Sequence, residues 1–253
     1  MSVSLFEHLE RVFVPTTIEA VWTQHCEKMA EYGFDRLFYG YTRFRTNHSL
    51  GNADDGILLS NHPQSYLEHY LGQGLYKHAP MVDWVTENVG ACSLRLLADR
   101  VKAGPVSDMQ ERLFALNRRF DVVAGYAISF RDLSIRSKGA IGLCARVGLS
   151  QDDVDAIWQR SGREIVLINN LFHLRITSLP YASPVRSLTA RQREALEWVG
   201  DGKTIQDIAI LMGLTTATVE KHLRLARESL AVETTAQAVL KASFQNQIFV
   251  DRQ

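Results

Sequence analysis

The organisation of this chain is decided by the stretch from Leu188 to Leu240, which reads LTARQREALEWVGDGKTIQDIAILMGLTTATVEKHLRLARESLAVETTAQAVL. At its start, Thr189 and Gln192 form a T-x-x-Q capping box, in which the hydroxyl accepts from a first-turn N–H and the amide reaches back to the cap. Gly202 follows the first helix as a left-handed cap. The stretch is therefore predicted to be a run of short helices, each with its own start and stop signals.

A tight turn at Gly213 separates a second helix, predicted over about 204–212, from a third that begins at Thr215 or Thr216. Two short helices joined by such a turn form a helix-turn-helix unit, whose second helix lies in the major groove of DNA. The polar face of this helix carries Thr216, Glu220, Lys221, Arg224 and Arg227. Three of these five side chains are cationic, as contacts to phosphate and guanine require. Spacing alone leaves an ordinary helical bundle with a solvated polar face as the alternative.

The stretch resembles the C-terminal DNA-binding domain of LuxR-type transcription regulators. The matching positions are Leu188-Thr189, Arg191, Leu196, Trp198, Gly202-Lys203-Thr204, Ile208-Ala209, Gly213, Thr218-Val219, Lys221-His222-Leu223, Ala226 and Leu230. Gln192 departs from the glutamate usual in the family but keeps the capping function. The resemblance implies sequence-specific binding of double-stranded DNA through Lys203, Thr204, Thr216, Glu220, Lys221, Arg224 and Arg227.

A fourth helix is predicted after Thr234, which forms a further T-x-x-Q box with Gln237. By the resemblance, this helix pairs the DNA-binding domains of two copies. A homodimer of this kind requires a near-palindromic operator with half-sites about one helical turn apart. RNA polymerase is a further protein partner that the resemblance implies.

Bulk composition fits a regulator better than a protein that coats nucleic acid. The formal net charge is zero, and the chain from Arg186 onward holds nine Lys and Arg against eight Asp and Glu. Affinity for DNA must therefore come from where the charges lie and from having two copies. The three cysteines are widely spaced, which suits a reducing compartment. No signal peptide or long apolar run is seen, so a cytoplasmic protein that does not enter the membrane is expected.

The first part of the chain alternates between helical and strand-like segments. Helices are predicted over about 4–32 and 151–176, and strands over 34–45, 57–60, 91–94, 122–130 and 140–147. The fold class is therefore α+β: an α/β/α sandwich with an antiparallel five-stranded sheet, followed by an all-α four-helix domain. The expected domains are a sensory and dimerisation domain at 1–176, a linker rich in Pro and Ser at 177–187, and the DNA-binding domain at 188–253.

The LuxR resemblance also implies an autoinducer-binding domain in this first part, with a cavity between sheet and helices. Where the family has an aspartate before proline, this chain has Ala79, so the acceptor for the amide N–H of an acyl-homoserine lactone is missing. The signal is therefore expected to be either such a lactone or a different small apolar molecule, with no other cofactor. The expected ligand-binding residues are Tyr39, His62, Tyr66, Tyr70, Trp84, Leu94, Phe114 and Gly125.

Two other functions compete with a ligand-controlled regulator. The first is an enzyme, but the sequence has no nucleophile motif, phosphate loop or paired carboxylates, and the adjacent His25 and Cys26 diverge on a helix. A metal site is equally unsupported, because His62, His69 and His78 are not spaced like ligands. The second is a LuxR-type regulator that needs no ligand, whose first domain dimerises or docks another regulator. An open, partly polar cavity would favour sensing over this alternative.

Overall fold

The structure, a computed structural model, describes residues 5–46, 51–102, 104–132, 134–181 and 186–250. The chain forms two compact units, one that runs to Ile176 and one that begins at Thr177 and also includes Asn52–Asp55. The predicted helix start at residue 4 and linker residues 182–185 lie outside the described residues. No helix in the described ranges is both long enough and apolar enough to cross a membrane.

The first unit is built on an antiparallel sheet, which has five strands in the described residues, in the order β2-β1-β5-β4-β3. The strands are β1 (Phe34–Thr42), β2 (Ile57–Ser60), β3 (Gly90–Ser93), β4 (Gly125–Ser129) and β5 (Lys138–Ala145). The helices of this part are α1 (Leu5–Arg11), α2 (Ile18–Glu31), α3 (Gln64–Tyr70), α4 (Pro80–Glu87), α5 (Leu94–Lys102), α6 (Asp108–Arg119) and α7 (Gln151–Ser178). The predicted α+β class and antiparallel sheet are confirmed.

Alternate residues of β1 face different helical layers, because successive side chains of a strand point to opposite faces. Tyr39 is fully buried on one face, where its ring meets Phe172 of α7 edge-on at 5.2 Å. Its neighbour Phe38 lies on the other face and meets Tyr70 of α3 edge-on at 5.5 Å. The sheet is thus covered by helices on both faces, as the pattern of helices and strands predicts.

Two segments differ from the sequence-based expectation. The single helix expected over 4–32 is two helices, with Pro15 between them, because proline lacks the N–H that a continuing helix needs. Thr17 starts α2 afresh, and its hydroxyl accepts from the Ala20 N–H at 3.2 Å. Leu94, expected at the end of a strand, instead begins α5, a helix whose apolar residues recur at helical spacing.

A buried polar pair joins α2 to α7. His25 Nε2 lies 3.0 Å from Asn169 Oδ1, and Asn169 donates its amide N–H to the Ile165 carbonyl at 2.8 Å. The asparagine oxygen is therefore the acceptor, and the histidine donates from Nε2 in its neutral form. Burial lowers the pKa of His25 to about 3, because desolvation penalises the charged imidazolium.

Acidification is expected to destabilise the first unit through His25. The unfolded histidine takes up a proton near pH 6.5, whereas the folded one resists protonation down to about pH 3, so stability falls as the pH drops below 6.5. The loss is about 1.4 kcal/mol per pH unit for this one group. Thermal unfolding between pH 7.5 and pH 5 measures it. His25→Gln keeps a donor for Asn169 but cannot be protonated, so its melting temperature should fall less steeply; parallel curves would contradict the assignment.

The second unit contains four helices in the described residues: α8 (Ala190–Gly200), α9 (Ile205–Met212), α10 (Thr216–Leu230) and α11 (Thr235–Phe244). Each starts at a threonine whose hydroxyl accepts from a backbone N–H three residues on. The sequence predicts these caps at Thr189, at Thr215 or Thr216, and at Thr234, whereas the cap at Thr204 was not predicted. Gly213 adopts φ +64° at the bend between α9 and α10, a left-handed conformation that glycine takes without steric cost. One face of α10 is buried in the core through Val219, Leu223, Ala226 and Leu230.

Candidate ligand cavity and candidate DNA-binding face

A cavity of about 520 Å³ lies in the first unit, between the sheet and the helices α3 to α6. Its size falls within the range of small-molecule sites, about 300–1,000 Å³. Gly142 of β5 forms part of the floor, where the missing side chain leaves room beneath Met81. Most of the wall is apolar, formed by Leu94, Ala98, Val101, Leu113, Phe114, Val122 and Val123. The cavity is therefore suited to a mainly apolar molecule.

A ladder of aromatic rings forms one wall of this cavity. His62 stacks on Tyr66 with ring centroids 4.8 Å apart, and Tyr66 stacks on Tyr70 at 5.3 Å. Tyr66 and Tyr70 share a face because they lie four residues apart on α3, whereas His62 precedes the helix. Burial lowers the pKa of His62 to about 4, so that its imidazole is neutral near pH 7.

Few polar atoms line the cavity, and two of them are paired with each other. The Tyr66 hydroxyl donates to Asn117 Oδ1 at 3.0 Å, which ties α3 to α6. The Tyr70 hydroxyl and the Asn117 amide N–H groups have no hydrogen-bond partner among the described residues. Burial raises the pKa values of both tyrosines, so their hydroxyls remain protonated and able to donate.

Cys144 of β5 is a further lining residue and is almost fully buried. Desolvation raises the pKa of its thiol to about 12. A thiol of this kind stays protonated at neutral pH and is a weak nucleophile. No cluster of three His, Cys, Asp or Glu side chains that could hold a metal ion occurs in the described ranges.

Five of the expected ligand-binding residues line the cavity: His62, Tyr66, Tyr70, Leu94 and Phe114. Ala79 also lines the cavity and is the N-cap of α4. This is the residue that stands where the family has an aspartate. The structure thus gathers residues from α3, α4, α5 and α6 around one space.

The three other residues that were expected to bind the ligand do not line the cavity. Tyr39 points to the opposite face of the sheet, where its hydroxyl lies 2.9 Å from His173 Nδ1. Trp84 lies half-buried on α4 outside the cavity wall. Gly125 has a backbone role: with φ +156°, a Cβ atom there would lie 2.1 Å from the Leu143 carbonyl oxygen.

Asn117 is a lining residue that the sequence analysis missed. It lies on α6, three residues after Phe114, and both residues reach the cavity because i and i+3 share a helical face. A polar residue among the apolar positions Leu113, Phe114 and Leu116 was the only signal available. That signal is weak, because most polar residues on amphipathic helices simply face solvent.

The candidate DNA-binding face lies on α10 in the second unit. Thr216, Glu220, Lys221 and Arg224 are all exposed on this helix, opposite the stripe that is buried in the core. Arg224 donates to Glu228 Oε1 at 2.5 Å, an exposed i,i+4 pair that is weak in water and leaves the guanidinium accessible. The face therefore combines exposed cations with side chains that can reach base edges.

Three further residues were predicted to contact DNA, and they lie outside the exposed face of α10: Arg227, Thr204 and Lys203. Arg227 is half-buried and donates to Thr235 Oγ1 at 2.9 Å, which links α10 to the start of α11. Thr204 caps α9, and its hydroxyl donates to Asp207 Oδ2 at 2.7 Å. The Asp207 carboxylate also accepts from the Thr204 backbone N–H at 3.1 Å. It therefore lies at the N-terminus of α9, where a DNA phosphate would otherwise bind. Lys203, next to the cap, is exposed and remains available for a phosphate.

The two units together define a class of protein, in which an α/β/α unit with a cavity of small-molecule size is joined in one chain to a helix-turn-helix unit. Comparison with known families agrees with this class. The autoinducer binding domain matches residues 17–176, and the sigma-70 region 4 family matches residues 185–230.

Individual proteins give the same picture. The chain is 29% identical over 226 residues to the transcriptional activator SolR of Ralstonia nicotianae, covering 88% of this chain and 89% of the relative. It is 22% identical over 198 residues to the activator LuxR of Aliivibrio fischeri, covering 77% and 76%. SdiA of Escherichia coli has a similar fold, with a TM-score of 0.53 at 14% identity, covering 97% of this chain and 98% of SdiA. The chain belongs to the LuxR family of transcriptional regulators that carry an autoinducer binding domain.

Proposed function

We propose that this protein is a sequence-specific DNA-binding regulator that binds a near-palindromic operator as a homodimer and responds to a small apolar signal held in the cavity of its first unit. The observation that carries the proposal is the exposed face of α10, with Lys221 and Arg224 on a helix whose opposite stripe is buried. Such a helix can enter the major groove without unfolding its own domain. Because its target is DNA, the protein acts in the cytoplasm, with RNA polymerase as a further partner.

The cavity supports control by a ligand rather than a purely structural first unit. A domain used only for dimerisation or docking gains nothing from an empty space, since each lost contact in a core costs stability. Here about 520 Å³ remains open, and the unpaired hydroxyl of Tyr70 lines it. These features favour the sensing function over the ligand-independent alternative.

If the protein binds as a homodimer, its operator must have a defined spacing and orientation of half-sites. DNA sites selected from a random pool by the full chain should contain two inverted half-sites about one helical turn apart. Insertion of five base pairs between the half-sites turns one of them to the opposite side of the duplex, so affinity should fall by roughly tenfold or more as one half-site is lost. Gel-shift titrations measure this loss, with a single half-site as the reference. An asymmetric selected site, or one that tolerates the insertion, would contradict the dimer.

A further inference from the structure

The exposed face of α10 carries a carboxylate that the second unit leaves free. Glu220 is exposed and makes no hydrogen bond or ion pair with any other described residue. Elsewhere in the second unit, Glu194, Glu197 and Glu228 each accept a hydrogen bond from a neighbouring N–H group. The Glu220 carboxylate is therefore available to a donor outside the protein.

The position of Glu220 on α10 directs its side chain toward the target of the helix. Ala217 lies three residues before it and Arg224 four residues after it, and all three are exposed on the same face. In helix-turn-helix proteins, residues near the start of the second helix contact base edges. The short side chain of Ala217 lets this part of the helix approach the bases closely. Glu220 thus faces the groove when α10 binds DNA.

A carboxylate in the groove stabilises only a DNA sequence that offers it a donor. DNA phosphates are negatively charged, so a Glu220 side chain without a donor opposes binding, as like charges in an interface do. The major groove presents two donors, the N4 amino group of cytosine and the N6 amino group of adenine. Guanine and thymine present the acceptors O6 and O4 instead. The side chain therefore favours a subset of sequences and disfavours the rest.

Of the two bases that present a donor, cytosine is the better partner for a carboxylate. The adenine N6 donor lies between two acceptors, its own N7 and the O4 of the paired thymine, and both repel a carboxylate. The cytosine N4 donor has such an acceptor on one side only, the O6 of the paired guanine. Glutamate accordingly accepts from cytosine, whereas glutamine has both a donor and an acceptor and pairs with N6 and N7 of adenine.

We infer that Glu220 determines specificity by accepting a hydrogen bond from the N4 amino group of a cytosine, so that each half-site of the operator contains a C·G pair opposite the start of α10. This inference rests on the proposed DNA-binding function and specifies one base pair of its target. Such a contact discriminates against the other base pairs by roughly tenfold in one half-site, and by roughly a hundredfold in two.

A panel of operator duplexes tests the inference on the full chain. The operator is first selected from a random pool, and each base pair of the half-sites is then replaced in turn by the other three, in both half-sites together. Gel-shift titrations give the affinity for each duplex. The unchanged protein should prefer cytosine at one position by roughly a hundredfold. Glu220→Ala should reduce this preference to less than about threefold and keep the preferences at the other positions.

Glu220→Gln distinguishes a base contact from the loss of a charge. The preferred base at this position should change from cytosine to adenine, because glutamine pairs with adenine. The matched control is Glu233→Gln, which removes the same charge from an exposed residue of the second unit outside α10 and should keep the preference for cytosine. Both variants should melt at the temperature of the unchanged protein, since neither side chain is buried.

The outcomes separate the inference from the proposed function. If both Glu220 variants keep the base preferences of the unchanged protein at every position, Glu220 reads no base, and the inference is overturned while DNA binding stands. If Glu233→Gln loses the same preference, or if the preference lost by the Glu220 variants is for a base other than cytosine, the inference is also overturned. If the full chain prefers no duplex over random competitor, the proposed function fails, and the inference fails with it.

Discussion

Replacing Lys221 and Arg224 together by alanine is expected to abolish the shift of operator DNA by the full chain. Both side chains are exposed on α10, and the only ion pair of Arg224 among the described residues is the weak one to Glu228. A contact to a base edge is worth about 1–3 kcal/mol, and a dimer loses each contact twice. The expected loss of affinity is therefore at least about a hundredfold. The melting temperature should hardly change, because neither side chain is buried in the core.

The matched control removes the same charge from the first unit. Arg160 and Arg163 are exposed on α7, and the double alanine variant should bind the operator as the unchanged protein does. The salt dependence adds a second measure, since each lost phosphate contact lowers the slope of log affinity against log salt by about 0.9. If the α10 variant bound like the α7 control, α10 would not be the DNA-binding helix.

Replacing Gly125 by alanine is expected to prevent the first unit from folding. The added Cβ would lie 2.1 Å from the Leu143 carbonyl oxygen, inside the ladder where β4 pairs with β5. Neither backbone can move without breaking strand pairing, and φ +156° already disfavours a side chain at this position. The cost is more than about 4 kcal/mol, a large part of the stability of an ordinary domain. This destabilisation would be seen as a loss of soluble protein on expression, or as a large drop in the urea concentration at the midpoint of unfolding.

Gly142→Ala is the control for this substitution. Gly142 lies in the adjacent strand β5, and its added Cβ would meet Met81 Sδ at 3.5 Å, an ordinary contact. This variant should fold with a melting temperature close to that of the parent. If Gly125→Ala were as stable as Gly142→Ala, the tight approach of β4 to β5 would not be the reason for glycine at position 125.

The second unit could be predicted in detail because its signals are local. Thr189, Thr204 and Thr234 each cap a helix, and each is followed three residues later by a side chain that reaches back to the cap N–H. A capping box consists of four consecutive residues, so it can be recognised in the sequence without knowledge of the tertiary structure. The same holds for the bend at Gly213, whose positive φ glycine alone adopts freely.

The cavity could be predicted only in part, because its wall depends on long-range packing. Tyr66 and Tyr70 were assigned to the cavity through the resemblance to LuxR-type regulators, but Asn117 joins them from a helix that begins 38 residues after α3 ends. Tyr39 was assigned to the cavity and lies on the opposite face of the sheet. A one-residue shift in register along a strand exchanges the two faces, and an aromatic-rich strand such as β1 carries no clear polar side to fix it.

The thiol of Cys144 is almost fully buried in the cavity wall, and we expect it to react slowly with oxidants. Peroxides and electrophiles attack the thiolate, and a pKa of about 12 leaves almost none of it at neutral pH. We therefore expect this cysteine to stay reduced when the folded protein is treated with peroxide.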